Sequence, residues 1–196
     1  MPRIVIDGNI GSGKTFYLKR LEKDGYIVHH EDVKKWSNWL QKYNTDMKRY
    51  ALGFQLQILH DQARLPYKKD QVNIYERSPY TLKNVFGDLL YEEGLFDTDE
   101  YELHNRYVKD FAWSPDVIIY LFCDPLVCQE RVKSRFSISG DDQLTGDYLK
   151  KLHLKHETVF DDLNCHIPLY KINSQEDPET VYKNIKDIIS KIEKTC

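Results

Sequence analysis

Residues 8–15 read Gly8-Asn9-Ile10-Gly11-Ser12-Gly13-Lys14-Thr15. Glycine, five residues on a second glycine, then lysine and a hydroxyl residue is the spacing of a phosphate cradle. The chemistry needs each residue type. Glycines let the backbone curl until successive N–H groups aim at one point. A helix opening there adds roughly half a positive charge. Lys14 then reaches β- and γ-phosphates, and the Thr15 hydroxyl is placed to hold Mg²⁺. A nucleoside triphosphate with Mg²⁺ is therefore expected. Gly8, Asn9, Ile10, Gly11, Ser12, Gly13, Lys14 and Thr15 form its expected binding loop.

A cradle does not say what accepts the phosphate. Three other clusters carry side chains suited to that side. Glu31-Asp32-Val33-Lys34-Lys35-Trp36 follows a short apolar run, which puts a carboxylate at a strand end. Phe54-Gln55 lies in an apolar helical stretch, where a buried amide needs partners and a nucleobase edge offers both kinds. Glu76-Arg77-Ser78 comes directly after Val72-Asn73-Ile74-Tyr75. Each has a plainer explanation: core packing for Trp36, an ordinary salt bridge for Glu76 with Arg77.

The elements that must position these residues alternate in type. Arg3–Ile6, Tyr26–His29, Val72–Tyr75, Val117–Phe122 and Leu169–Ile172 read as strands. Amphipathic segments lie between them, such as the one with Leu52, Leu56, Leu59 and Ala63 on one face. Asp177-Pro178 opens a last helix with Val181, Ile185, Ile188, Ile189 and Ile192 as its stripe. Strand–helix alternation predicts an α/β fold: a five-stranded parallel sheet with helices on both faces. The Gly-, Ser- and Asp-rich stretch Ser137–Gly146 reads as a mobile lid, set at about 131–146. No repeat or linker divides the 196 residues, so one domain over 1–196 is expected.

Composition narrows the partners. Formal net charge is −3 with charges of both signs interspersed, so no basic stripe offers itself to a nucleic-acid polymer. The run Val117 to Cys123 is too short to cross a bilayer. Cys123, Cys128, Cys165 and Cys196 form no metal or disulfide pattern and read as reduced thiols of a cytoplasmic protein. A switch GTPase would need Asn-Lys-x-Asp and Asp-x-x-Gly, and neither string is present.

Together, the loop from Asp7 to Thr15, Glu31 to Trp36, Phe54-Gln55, Glu76-Arg77-Ser78 with Phe86, Glu130-Arg131 with Arg135, and Tyr148-Leu149, Leu152-His153 and His156-Glu157 resemble the deoxyribonucleoside kinase family. Members of the non-zinc type act on thymidine, deoxycytidine or deoxyguanosine. The resemblance runs nearly end to end, with order and spacing in agreement.

It implies a P-loop kinase fold and transfer of the ATP γ-phosphate to the 5′-hydroxyl of a deoxyribonucleoside in nucleotide salvage. Glu31 would be the general base and Arg77 would sit by the 5′-oxygen. Trp36, Gln55 and Phe86 would surround the base, with Tyr43 and Asp141 on the 3′-hydroxyl. Glu76 would join Thr15 on Mg²⁺, and Arg131 and Arg135 would reach the phosphates. A homodimer through residues 33–43 and 47–62 is a further implication. The chain departs from the family where Asp32 replaces a usual proline and Tyr43 is displaced by one residue. Its lid is one residue longer, with Lys133 and Ser137 at places often held by arginine. Gln62 and Leu82 stand where relatives preferring deoxycytidine or purines carry an Arg–Asp pair, which favours thymidine and then deoxycytidine. The alternatives are a thymidylate kinase-like monophosphate kinase and a non-catalytic nucleotide-binding protein.

Overall fold

The computed structural model describes residues 1–134, 144–163 and 167–194. Its strands are β1 (Arg3–Asp7), β2 (Ile27–His29), β3 (Asn73–Glu76), β4 (Val117–Phe122) and β5 (Leu169–Asn173). Among the described residues they form one sheet in the order β2-β3-β1-β4-β5. All four neighbouring pairs are parallel, with Val5 of β1 beside Tyr75 of β3 and Ile118 of β4. Each predicted strand is present, shifted by no more than one residue at either end.

Side-chain alternation explains why helices cover both faces. Ile4, Ile6, Ile74, Ile119 and Leu121 point to one side. They pack on Leu18 and Leu21 of α1 (Lys14–Lys23) and on the isoleucine stripe of the C-terminal helix Pro178–Glu193. Asp177 caps that helix by accepting from the Glu179 and Thr180 amides. Val5, Tyr75, Ile118 and Tyr120 point the other way, onto Phe160 of the helix Gly146–Leu163.

The acceptor side is built by α2 (Ser37–Thr45) and α3 (Met47–Ala63). A 3₁₀ turn, Val33–Trp36, leads into α2, and Asp46 separates the two helices by capping the Arg49 amide. Pro79–Thr81 opens α4, which widens into a π-helical stretch, Leu82–Gly87, before α5 (Asp88–Glu92). There follow α6 (Thr98–Phe111) and α7 (Pro125–Ser134), and then the two helices already met, α8 (Gly146–Leu163) and α9 (Pro178–Glu193). Residues 131–134, expected to begin the lid, are instead the last turn of α7, because Val132 is buried and Arg131 is tied inward. Residues 135–143, with Arg135 and Asp141, lie outside the described residues, as do Cys165 and Cys196. No described helix is long and apolar enough to cross a membrane.

Candidate active site

Parallel strands deliver the loops after β2, β3 and β1 to the same edge of the sheet, the place where such folds collect ligands. The loop after β1 is the glycine cradle. Gly8 and Gly11 have φ of 144° and 88°. A Cβ at Gly8 would lie 2.5 Å from the Leu121 carbonyl oxygen, and one at Gly11 would lie 2.5 Å from that of Cys128. Only glycine fits either place. The first residue of α1 is Lys14, and no side chain caps that helix, which leaves its N-terminal amides directed into the loop. Lys14 Nζ donates to the carbonyls of Gly8 (2.9 Å) and Asn9 (2.8 Å). Burial and the Arg77 charge bring its pKa down to about 8. Ser12 Oγ is buried without a partner. A cradle that rejects Cβ atoms, with a lysine and a spare hydroxyl inside it, fits a polyphosphate.

Beside the loop, Thr15 Oγ1 donates to Glu76 Oε1 at 2.6 Å. A hydroxyl and a carboxylate are hard oxygen donors suited to Mg²⁺. Glu76 ends β3, and its other oxygen accepts from the Glu31 amide at 3.3 Å. His30 Nδ1 lies 3.7 Å from the same Glu76 oxygen. Arg77 follows with φ of 62°, a left-handed conformation in a non-glycine residue. Such strain is held only where surrounding structure imposes it, and it gathers at functional sites. The Arg77 guanidinium forms a buried ion pair with Glu31 and lies 5.2 Å from the centre of the Phe86 ring.

The two carboxylates titrate in opposite directions. Burial pushes the Glu31 pKa up; the Arg77 charge opposes this without overcoming it. Burial also works against Glu76, but His30, Lys14 and Thr15 outweigh it and hold Glu76 below the usual carboxylate range. Environments that drive paired acids apart assign their roles. Glu31 is the better proton acceptor, whereas Glu76 stays charged and suits a cation.

On the acceptor side, Trp36, Phe54, Ile58, Leu59 and Leu82 form a cluster with Tyr43 packed against it. Trp36 fulfils its plain reading: it is 4% exposed, and its indole N–H donates to Asp61 Oδ2 at 2.6 Å. Tyr43 lies against Phe54, with ring centres 5.4 Å apart, so its one-residue displacement does not remove it from this wall. Gln55 is buried on α3, and its Oε1 has no partner. Phe86 packs with Ile10 of the loop and Tyr148 of α8, spanning the two sides. Arg131 of α7 reaches both the cradle and the end of β5. Its guanidinium donates to the carbonyls of Ser12 (3.4 Å) and Ser174 (2.9 Å).

Sequence reasoning missed several residues at this edge. His30 was passed over as a neighbour of Glu31. Asp7 and His156 enter the sequence resemblance without a role, and both are completely buried. Alternation along β1 places Asp7 with Val5, on the face that α8 covers, so the pattern held that signal.

Comparison with known proteins agrees with the geometry. The deoxynucleoside kinase family model matches residues 4–196. Protein 143R of Invertebrate iridescent virus 6 is 37% identical over 162 residues, covering 81% of this chain and 82% of the relative. The deoxyadenosine kinase of Dictyostelium discoideum is 30% identical over 193 residues, covering 93% of this chain and 77% of the relative. A solved deoxyadenosine kinase from M. mycoides superposes with a TM-score of 0.86 over 97% of this chain and 99% of that one, at 20% identity, which shows the shared fold. A crevice that joins a glycine cradle to a paired carboxylate and arginine, with a family match along almost the whole sequence, leads to one conclusion: the chain belongs to the deoxynucleoside kinase family.

Proposed function

We propose that this deoxynucleoside kinase transfers the γ-phosphate of ATP to the 5′-hydroxyl of a pyrimidine deoxyribonucleoside, thymidine before deoxycytidine, with Glu31 as general base. The observation that carries the reading is the Glu31–Arg77 pair, set beside the Thr15–Glu76 pair and Lys14 at one sheet edge. That arrangement lets a sugar alcohol meet a terminal phosphoryl group.

Phosphoryl transfer has a loose transition state, so positioning and charge do most of the work. The loop amides and Lys14 hold the triphosphate. Thr15 and Glu76 are the residues suited to Mg²⁺, which supplies charge neutralisation between the phosphates. Arg77 orients the 5′-oxygen, and Glu31 accepts its proton. Gln55 meets the base edge, Phe86 and the wall containing Trp36 enclose the base, and Tyr43 faces the sugar. Gln62, buried with both amide atoms unpartnered, and the apolar Leu82 leave this wall without the charged pair, which supports thymidine as the first substrate.

The test is kcat/KM for the four deoxyribonucleosides with ATP, beside thymidylate as acceptor. Thymidine leading supports the reading. A strong purine preference, in line with the name of the Dictyostelium relative, would overturn the base assignment. Phosphorylation of thymidylate alone would overturn the acceptor. A homodimer through α2 and α3 belongs to the same proposal. In its favour, α2 fully buries none of its side chains within the chain. A monomer in sedimentation velocity would remove that part.

A further inference from the structure

We propose that Asp61 is a positioning residue for the nucleoside pocket: by accepting the indole hydrogen of Trp36, it fixes how that ring stands in the wall. This rests on the place given above to Trp36 beside the base.

Trp36 and Gln55 reach the pocket from different segments. Trp36 ends the 3₁₀ turn Val33–Trp36, and Gln55 lies on α3. Phe54, Ile58, Leu59 and Leu82 pack around the indole. Apolar contacts of this kind reward burial without setting a direction. The χ2 torsion of tryptophan is broad and roughly two-fold, so such packing alone does not choose between ring orientations. The N–H is the one polar group of the indole, and when buried it needs an acceptor. Asp61 Oδ2 supplies it at 2.6 Å. A flipped ring would lose that bond and leave its N–H unpaired.

Asp61 is itself held. The same Oδ2 accepts from Gln57 Nε2 at 3.2 Å, one turn back along α3, and His60 Nδ1 lies 3.3 Å from Oδ1. Burial works against the Asp61 charge, but the bonds from Trp36 and Gln57 outweigh it and keep the carboxyl below its usual range. An ionised acceptor makes a stronger bond than a neutral one.

The bond also closes a frame around the acceptor. At one end of the segment from Glu31 to Trp36, the Glu31 amide donates to Glu76 Oε2 at 3.3 Å and its carboxylate pairs with Arg77. Within the segment, the Lys35 amide donates to the Asp32 carbonyl at 3.0 Å. At the other end, Asp61 ties Trp36 to α3, the helix that carries Gln55. Removing that tie frees the Trp36 end while the Glu31 end keeps its own partners. Nucleoside binding should therefore suffer and the phosphate side should not.

Two substitutions separate the bond from the fold. Asp61→Leu removes the acceptor, whereas Asp61→Asn keeps a carbonyl oxygen that can take the indole hydrogen. The Asp61 side chain is 26% exposed, so neither change is made in a sealed core. Kinetics would use ATP with whichever of the four deoxyribonucleosides gives the highest kcat/KM, and Tm would be measured in parallel. D61L should raise the nucleoside KM about tenfold, the scale of one hydrogen bond. Its kcat and its KM for ATP should hold within about threefold, since Glu31, Arg77 and Lys14 keep their own partners. D61N should keep the nucleoside KM near the wild-type value. A purely structural Asp61 would lower Tm and leave that KM unmoved. Trp36→Phe removes the donor, so adding D61L to W36F should raise KM little further. That comparison serves even where D61L alone is unstable, because W36F leaves no indole N–H to be orphaned. An unchanged nucleoside KM in D61L, equal rises in D61L and D61N, or a full further rise in the W36F background would overturn the proposal. An unchanged nucleoside KM in W36F would instead remove Trp36 from the pocket, and the proposal with it.

Discussion

Around Lys14 the recognition surface is mostly main chain: glycine-bounded N–H groups, a helix terminus and two carbonyls that hold the lysine. Around Gln55 it is side chain throughout: Trp36, Phe54, Ile58, Leu59, Leu82 and an amide left unsatisfied in the fold. Between them run the ionised groups, Glu76 with Thr15 and Glu31 with Arg77. Backbone recognition tolerates almost no change at Gly8 and Gly11, because neither place has room for a Cβ. Side-chain recognition can change its substrate by exchanging one residue for another. One half of the crevice sets the reaction and the other sets what enters it.

That division can be broken by experiment. Gly8→Ala should abolish turnover, since the added methyl group meets the Leu121 carbonyl at 2.5 Å in a backbone conformation that alanine resists. If G8A keeps wild-type kcat and ATP affinity, the cradle is not the rigid half described here. Glu31→Gln should lower kcat by about 10²–10⁴-fold, the usual contribution of a general base. The nucleoside-induced rise in Tm should survive in E31Q. The sign of its pH dependence also follows: a base must be unprotonated, and burial raises Glu31 above the ordinary carboxylate value. Wild-type kcat should therefore fall on acidification at a pH above 4.5, the ordinary glutamate value, and E31Q should lack that limb.

Gln55→Leu sharpens the comparison from the acceptor side. Losing one hydrogen bond to the base should raise the nucleoside KM about tenfold with ATP binding unchanged. Tm of the free protein should hold or rise, because the Oε1 atom it removes has no partner. A fall in Tm with unchanged KM would show Gln55 to be a structural residue. The smallest effect belongs to His104, which is buried on α6 with both ring nitrogens unpartnered. Burial lowers its pKa from 6.5 to about 4. The unfolded chain then takes up the proton first, so stability is whole above pH 6.5 and declines as pH falls toward 4. At pH 5 the loss is about 2 kcal/mol. Thermal unfolding of wild type and His104→Met between pH 7 and 5 should show a steeper fall in wild type.

Much of this was legible because period and glycine placement are strict. The Val117–Phe122 strand needed no revision, and the cradle sits at the turn from β1 into α1 as its spacing required. The lid boundary was not legible, since the polar last turn of α7 holds its helix through Arg131 bonds to the distant Ser12 and Ser174. Nor was the π-helical stretch Leu82–Gly87. There a Cβ on Gly87 would come within 2.7 Å of the His104 ring on α6, a tertiary approach that the local sequence does not show. Asp7 Oδ1 and His156 Nε2 lie 3.7 Å apart from distant parts of the chain, and no local pattern marks such a pair.

The left-handed residue at the end of β3 has one more consequence. An extended strand would turn neighbouring side chains to opposite faces of the sheet. The bend at Arg77 lets Glu76 and Arg77 face the same crevice, one bonded to Thr15 and the other paired with Glu31. Glycine would relax that bend and lose the guanidinium, so the chain retains a local conformational cost of about 1–3 kcal/mol as a condition of joining its two substrates.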